Sequence, residues 1–101
     1  MNLTTELKII DQVATITLTG EIVTNTAAIF QETIEQTAKQ AIRKLILDMG
    51  NLSYMSSAGL RVLVFAKQKM GSQVDIDITG ASETIVSTLK TVGFHHSVNI
   101  V

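Results

Sequence analysis

The sequence predicts an α/β domain: a mixed, mostly parallel sheet of four or five strands, with helices packed mainly on one face, in the order ββαβαβα. Three observations carry this expectation. Apolar and polar residues alternate over 13–19 and again over 74–79, the period of a strand with one buried face. Between and after the strands lie segments with apolar residues at helical spacing. Strands that alternate with helices call for right-handed crossovers and helices laid on the sheet. The 101 residues suffice for one two-layer core, so residues 1–101 are read as a single domain.

Taken in order, Thr5 to Ile10 and Val13 to Thr19 read as two strands joined by a tight turn at Asp11-Gln12. The second places Ala14, Ile16 and Leu18 on one face and Thr15, Thr17 and Thr19 on the other. Gly20 ends it. Thr24-Asn25-Thr26 supplies cap-type residues for a helix to about Gln40, with Ile29, Phe30, Ile34, Ala38, Ala41 and Ile42 forming its apolar stripe. Leu45-Ile46-Leu47 is a continuous apolar run, expected of a central strand buried on both faces. It leads through Asp48 into a polar loop, then into paired serines at the head of a helix from Ser57 to about Met70, which Gly71-Ser72 stops. Val74, Ile76 and Ile78 alternate with Asp75, Asp77 and Thr79 in a further strand. Gly80-Ala81-Ser82 opens a last helix with Ile85, Val86, Leu89 and Val92 turned inward and Gly93 at its end. The tail from Phe94 to Val101 either adds a short strand or covers the core.

Composition narrows the function. Hydrophobic residues make up 46% and charged residues 17%, a globular balance. A formal net charge of -1 gives no electrostatic case for nucleic acid or an anionic membrane surface. No apolar run approaches a membrane span, and residues 1–10 lack a signal-peptide pattern. Without cysteine there is no disulfide framework, thiolate metal site or cysteine nucleophile, which is compatible with a cytoplasmic protein. No cofactor is expected.

The chemistry-bearing stretch runs from Asp48 to Leu60. In its plainest reading Ser57 caps the helix, a contribution of about 1 kcal/mol, while Ser56 or Ser53 shapes the turn before it. Two features point further. Gly59 in the first helical turn costs up to about 1 kcal/mol relative to Ala, which suits a close approach by another backbone, a ligand or a partner. The helix is also apolar almost all round (Leu60, Val62, Leu63, Val64, Phe65, Ala66), so Val62 or Phe65 is a candidate contact for a second protein, with a buried flank of the domain the competing account.

Tyr54-Met55-Ser56-Ser57-Ala58-Gly59-Leu60, following Leu45-Ile46-Leu47-Asp48, resembles the signature of the STAS domains, and within them most resembles the bacterial anti-sigma-factor antagonists. The resemblance extends to Gly20-Glu21-Ile22, Thr26-Ala27 and the late run Ile78-Thr79-Gly80-Ala81-Ser82, Val86, Leu89 and Gly93-Phe94. It implies the STAS fold and a partner-switching function. In that family the unmodified antagonist binds a GHKL-type serine kinase that doubles as an anti-sigma factor, and so releases the sigma factor. The kinase uses its ATP to phosphorylate a serine at the head of this helix, which ejects the antagonist; a metal-dependent, PP2C-type phosphatase restores it. The matching position is Ser57, with Ser56 the competing acceptor. The resemblance further implies partner contacts from Tyr54, Met55, Ser56, Ala58, Gly59, Arg61 and Val62, and from the Thr24, Asn25 and Thr26 loop. The chain departs from the family pattern with Ser56 where Asp is commonest, Ala58 where a second Ser is usual, and Val23 where many members have Asp.

Other readings compete. A constitutive STAS adaptor within a regulatory assembly needs no phosphorylation. A small serine hydrolase would use Ser57 with Asp75 or Asp77 and His95 or His96, but Met55 replaces the first Gly of the nucleophile elbow. His95 and His96, adjacent on an extended segment, point to opposite faces and lack a third metal ligand. Asp75 and Asp77 read as an exposed strand face. Lys67 and Lys69 suit the C-terminal end of a helix dipole. Arg61 lies one turn from Ser57, on the same helix face as a phosphate there would be.

Overall fold

The N-terminal hairpin turns on two non-glycine residues with positive φ, Asp11 at 51° and Gln12 at 65°. That is the two-residue turn whose twist matches paired strands. In the computed structural model, which describes residues 2–101, the hairpin joins β1 (Leu3–Ile10) to β2 (Val13–Ile22). There follow α1 (Ala27–Ala38), β3 (Lys44–Met55), α2 (Ser57–Met70), β4 (Asp75–Thr79), α3 (Glu83–Thr91), a 3-10 turn over Phe94–His96 and β5 (Asn99–Ile100). The expected order ββαβαβα holds, and the tail does both things offered for it: Phe94 and Val98 are buried, and β5 joins the sheet.

The sheet order is β1-β2-β3-β4-β5, with β1 antiparallel to β2 and every other pair parallel. Register places Ala14 and Ile16 beside Leu45 and Leu47, and these beside Ile76 and Ile78, all fully or nearly fully buried, with Leu18 buried on the same face at the first register shift. That face carries the helices, through Phe30 and Ile34 of α1, Leu63 and Ala66 of α2, and Ile85 and Leu89 of α3. The opposite face carries Thr15, Thr17, Lys44, Ile46, Asp48 and Asp77, all half-buried. A sheet covered on one side explains the alternation along its strands.

The strand over Leu45–Leu47 is not buried on both faces, because Ile46 belongs to the uncovered side. The strand is also much longer than its apolar run: the segment expected as a polar loop remains paired with β2 as far as Met55. Two register shifts accommodate this, one opposite Thr17–Thr19 and one opposite Gly20–Glu21, each adding one residue to β3. The bulges reset the side-chain phase, so the buried residues after Leu47 are Met49, Leu52 and Met55. Nor does Gly20 end β2. It lies within the strand at φ 113°, where an added Cβ would collide with the carbonyl oxygen of Asn2.

At the start of α1, no cap-type side chain caps the helix. Thr26 is the N-cap residue, but its hydroxyl donates to the Glu21 carbonyl at 2.8 Å and accepts from the Val23 N–H at 2.9 Å. It stitches the β2–α1 loop together instead. The stripe of α1 also differs from expectation, since Ile29 is exposed while Thr33 and Thr37 are buried. Thr37 bonds the Thr33 carbonyl, and the Thr33 hydroxyl pairs with Thr5 of β1 at 2.7 Å, so neither is left unsatisfied.

Gln12 has the more costly of the two turn conformations, since Asp tolerates the left-handed region better than Gln. Gln12→Gly is expected to stabilise the fold by about 0.5–1 kcal/mol, read from the urea midpoint. On the uncovered face, Asp77 accepts from the Asn99 amide at 2.9 Å and faces Lys44 at 3.3 Å. The Asn99 hydrogen bond first, and Lys44 second, hold its carboxyl below the ordinary range against the opposing effect of burial. A depressed folded-state value contributes stability above the ordinary carboxylate range, which is lost as pH falls through the folded value. The stability advantage of wild type over Asp77→Asn should therefore shrink between neutral pH and about pH 3; denaturation midpoints that keep a constant gap would contradict this.

Candidate functional site

Ile22, the last residue of β2, organises the head of α2. Its carbonyl accepts the Ser56 N–H at 2.8 Å, which ties the residue before the helix to the sheet. Its side chain meets Gly59 one turn later: a Cβ there would sit 3.1 Å from Ile22 Cγ2 and clash with Met55 Cγ. The close approach that Gly59 permits is thus made by the chain's own β2 and β3 ends, not by a ligand or a partner. Short contact here lets α2 start directly after β3.

The two serines divide their work in the reverse of the plain expectation. Ser56 is the N-cap, in an extended conformation, and its hydroxyl accepts from the Ala58 N–H at 3.2 Å. Its carbonyl accepts from Gly59 and Leu60. Ser57 is the first helical residue; its side chain is exposed and has no hydrogen-bond partner among the described residues. Helix geometry explains the shift, because a cap residue must leave the helical region of φ and ψ and Ser57 does not. Ser53, expected to shape the turn, donates instead across the sheet to the Gly20 carbonyl at 3.0 Å.

Ser57 opens on a cleft of about 480 Å³ between the β3–α2 junction and the first turns of α3. Ser53, Tyr54, Met55, Ser56 and Leu60 line it from one side, and Ser82, Thr84, Ile85 and Thr88 from the other. Beside it, on the next turns of α2, is an apolar groove of about 290 Å³ formed by Leu60, Arg61, Val64, Val92 and Phe94. Arg61 is exposed and makes no ion pair among the described residues.

The sequence-predicted residues fall into two groups. Tyr54 (52% exposed), Ser57, Arg61, Thr24 and Asn25 present side chains to solvent, and Ser56 is half-buried. Met55, Ala58, Gly59, Val62 and Thr26 are buried and hold the first group in place. Val62 is only 3% exposed, so the apolar ring of α2 resolves with Val62 and Leu63 inward, Phe65 half-buried and Val64 outward. Val64 was legible in principle, since Ser57, Leu60, Arg61 and Val64 follow one helical face. Val92, expected to point inward, is exposed and borders the same groove. The contribution of α3 to the cleft had no signal in the sequence.

The histidines lie elsewhere. His95 and His96 occupy the 3-10 turn, with ring centroids 3.9 Å apart, and so do not point to opposite faces. Neither lines the Ser57 cleft, and among the described residues no serine–histidine hydrogen bond supports the hydrolase reading. Among the described residues no His, Cys, Asp or Glu cluster could hold a metal ion, and no helix is long and apolar enough to cross a membrane.

A family model described as STAS domain matches residues 4–101. Among solved structures, the fold is similar to an anti-sigma factor antagonist from Mycobacterium paratuberculosis, at 19% identity and a TM-score of 0.90, covering 98% of this chain and 85% of that one. It is similar to the Bacillus cell fate determinant SpoIIAA in its phosphorylated form, at 17% identity and 0.75, covering 97% and 91%. It also resembles the STAS domain of a SulP transporter from Vibrio cholerae, at 20% identity and 0.71, covering 92% and 75%. No curated protein matches the chain at the level of sequence.

The packing at Gly59 gives a test. Gly59→Ala gains helix propensity but must displace Met55 and Ile22, and the overpacking is expected to win, with a net loss of about 1–2 kcal/mol in chemical denaturation. Ser57→Ala, which removes an unpartnered exposed hydroxyl, should stay within about 0.5 kcal/mol of wild type. Equal stability of Gly59→Ala and wild type would refute the close approach.

Proposed function

Because the chain belongs to the STAS domain family, we propose that it is an anti-sigma-factor antagonist switched by phosphorylation of Ser57. The unphosphorylated form binds a GHKL-type serine kinase that doubles as an anti-sigma factor, and so frees the sigma factor; phosphate on Ser57 ends that binding. A PP2C-type phosphatase returns the protein to its active form. The chain is not an enzyme; it works through what it binds. ATP belongs to the kinase, and on this reading both proteins meet in the cytoplasm.

The observation that carries the reading is the division between the two serines. Ser56 uses its hydroxyl for the cap, whereas the Ser57 hydroxyl is exposed, unpartnered among the described residues and at the first helical position. A phosphate there adds roughly -1.5 to -2 charges, which the N-terminal N–H groups and dipole of a helix accommodate within the free domain. The same charge set beside Tyr54 and the apolar groove would be desolvated in a docked complex, at a cost that favours release. Arg61, one turn on and without an ion-pair partner among the described residues, is placed to approach that phosphate. In this scheme the exposed residues Tyr54, Ser57, Arg61, Thr24 and Asn25 meet the kinase, while Met55, Ala58, Gly59, Val62 and Thr26 fix their positions. Val23 and Ser56, where relatives commonly carry Asp, would adjust the strength of the kinase contact.

Affinity capture from native-host lysate tests this, with wild type, Ser57→Ala and Ser57→Asp as baits and the retained proteins identified by mass spectrometry. Wild type and Ser57→Ala should retain a GHKL-type kinase, and Ser57→Asp should bind it at least roughly tenfold more weakly. Equal retention by all three would mark a constitutive adaptor and defeat the switch.

A further inference from the structure

The outer edge of β1 offers a surface that the site does not use. Among the described residues β1 pairs with β2 alone, and β2 is its only neighbour in the sheet. Ile10 and Val13 flank the two-residue turn and so form a hydrogen-bonded pair. Alternation then directs the backbone groups of Thr4, Glu6, Lys8 and Ile10 toward β2, and those of Leu3, Thr5, Leu7 and Ile9 outward. An edge of this kind is a template for another strand. At its far end Ile9 and Ile10 are 38% and 69% exposed.

We infer that two copies of this chain pair antiparallel through β1, with Leu7 opposite Leu7 on the two-fold axis, to continue the sheet across both molecules. The choice of register follows from three constraints. A two-fold axis makes the interface isologous, so each pairing occurs twice. Outward-facing residues must meet outward-facing residues, and these are all odd-numbered, so partner numbers sum to an even value. Side-chain charge then selects among the remaining registers. A sum of 12 sets Glu6 against Glu6, and a sum of 16 sets Lys8 against Lys8. A sum of 10 leaves Lys8 opposite Asn2 and Glu6 opposite Thr4. A sum of 14 places Glu6 opposite Lys8 twice, Thr5 opposite Ile9 twice and Thr4 opposite Ile10 twice, and so uses both exposed isoleucines. Glu6 and Lys8 would lie in non-hydrogen-bonded pairs, where facing side chains are closest. Within one copy these two residues are already 3.6 Å apart and both exposed, so they are free to exchange partners. The formal net charge of -1 opposes association only weakly.

No residue of β1 lines the Ser57 cleft, so the pairing leaves that cleft open in both copies. The inference stands apart from the kinase reading and fails or succeeds independently of it. A contact made by one strand edge buries little area, so the dimer is weak and forms toward millimolar concentration.

Charge exchange tests it, at positions whose side chains are exposed. Sedimentation equilibrium from micromolar to millimolar concentration should show reversible dimerisation of wild type. Glu6→Lys or Lys8→Glu alone sets like charges opposite each other twice and should weaken it roughly tenfold. The double variant Glu6→Lys/Lys8→Glu should regain wild-type association, and an equimolar mixture of the two single variants should form heterodimers. Monomeric wild type throughout the range would overturn the proposal. So would a dimer that neither single variant weakens, which would place the interface elsewhere.

Discussion

The head of α2 depends on one short contact, between Gly59 and the side chains of Ile22 and Met55. With a Cβ at that position the Met55 and Ile22 side chains would have to shift for the helix to start where it does. Ile22 acts twice, since its carbonyl also holds the Ser56 N–H. These two constraints fix the last residue of β3, the N-cap and the first helical residue in succession. Ser56 is thereby committed to capping and Ser57 to solvent. The exposure of one hydroxyl is a consequence of packing beneath it.

The same division of labour runs through the whole domain. One face of the sheet is spent on helices and core, and the other is polar, with Asp77 bound by Asn99 and Lys44. Residues of the signature stretch that face the core hold those that face solvent. Thr26 shows the principle at the neighbouring loop: its buried hydroxyl joins Glu21 and Val23, leaving Thr24 and Asn25 outside. A family signature therefore mixes solvent-facing residues with the buried residues that position them, and sequence similarity alone does not separate the two.

Much of the fold was legible where one period persisted. The alternation in β2 and β4 and the apolar spacing of α3 gave those strands and that helix to within a few residues. β3 was not fully legible, because two bulges break its alternation and Gly50-Asn51 imitates a turn. Pairing with β2 overrides those local signals. The cap slipped by one residue because adjacent serines are equivalent to a sequence rule, whereas the hydrogen bond that the Ser56 N–H donates to the Ile22 carbonyl distinguishes them. The outward residue of α2 was misassigned for a related reason: a helix apolar all round has no phase until its neighbours choose one. The stacked His95 and His96 reflect a 3-10 turn that no periodicity announces.

Phosphosite mapping by mass spectrometry, on the protein isolated from its native host, tests the central claim most directly. Phosphate on Ser57, with Ser56 unmodified, is the result that the packing at Gly59 and the cap at Ser56 predict. Phosphate on Ser56, or none on either serine across growth conditions, would contradict the account.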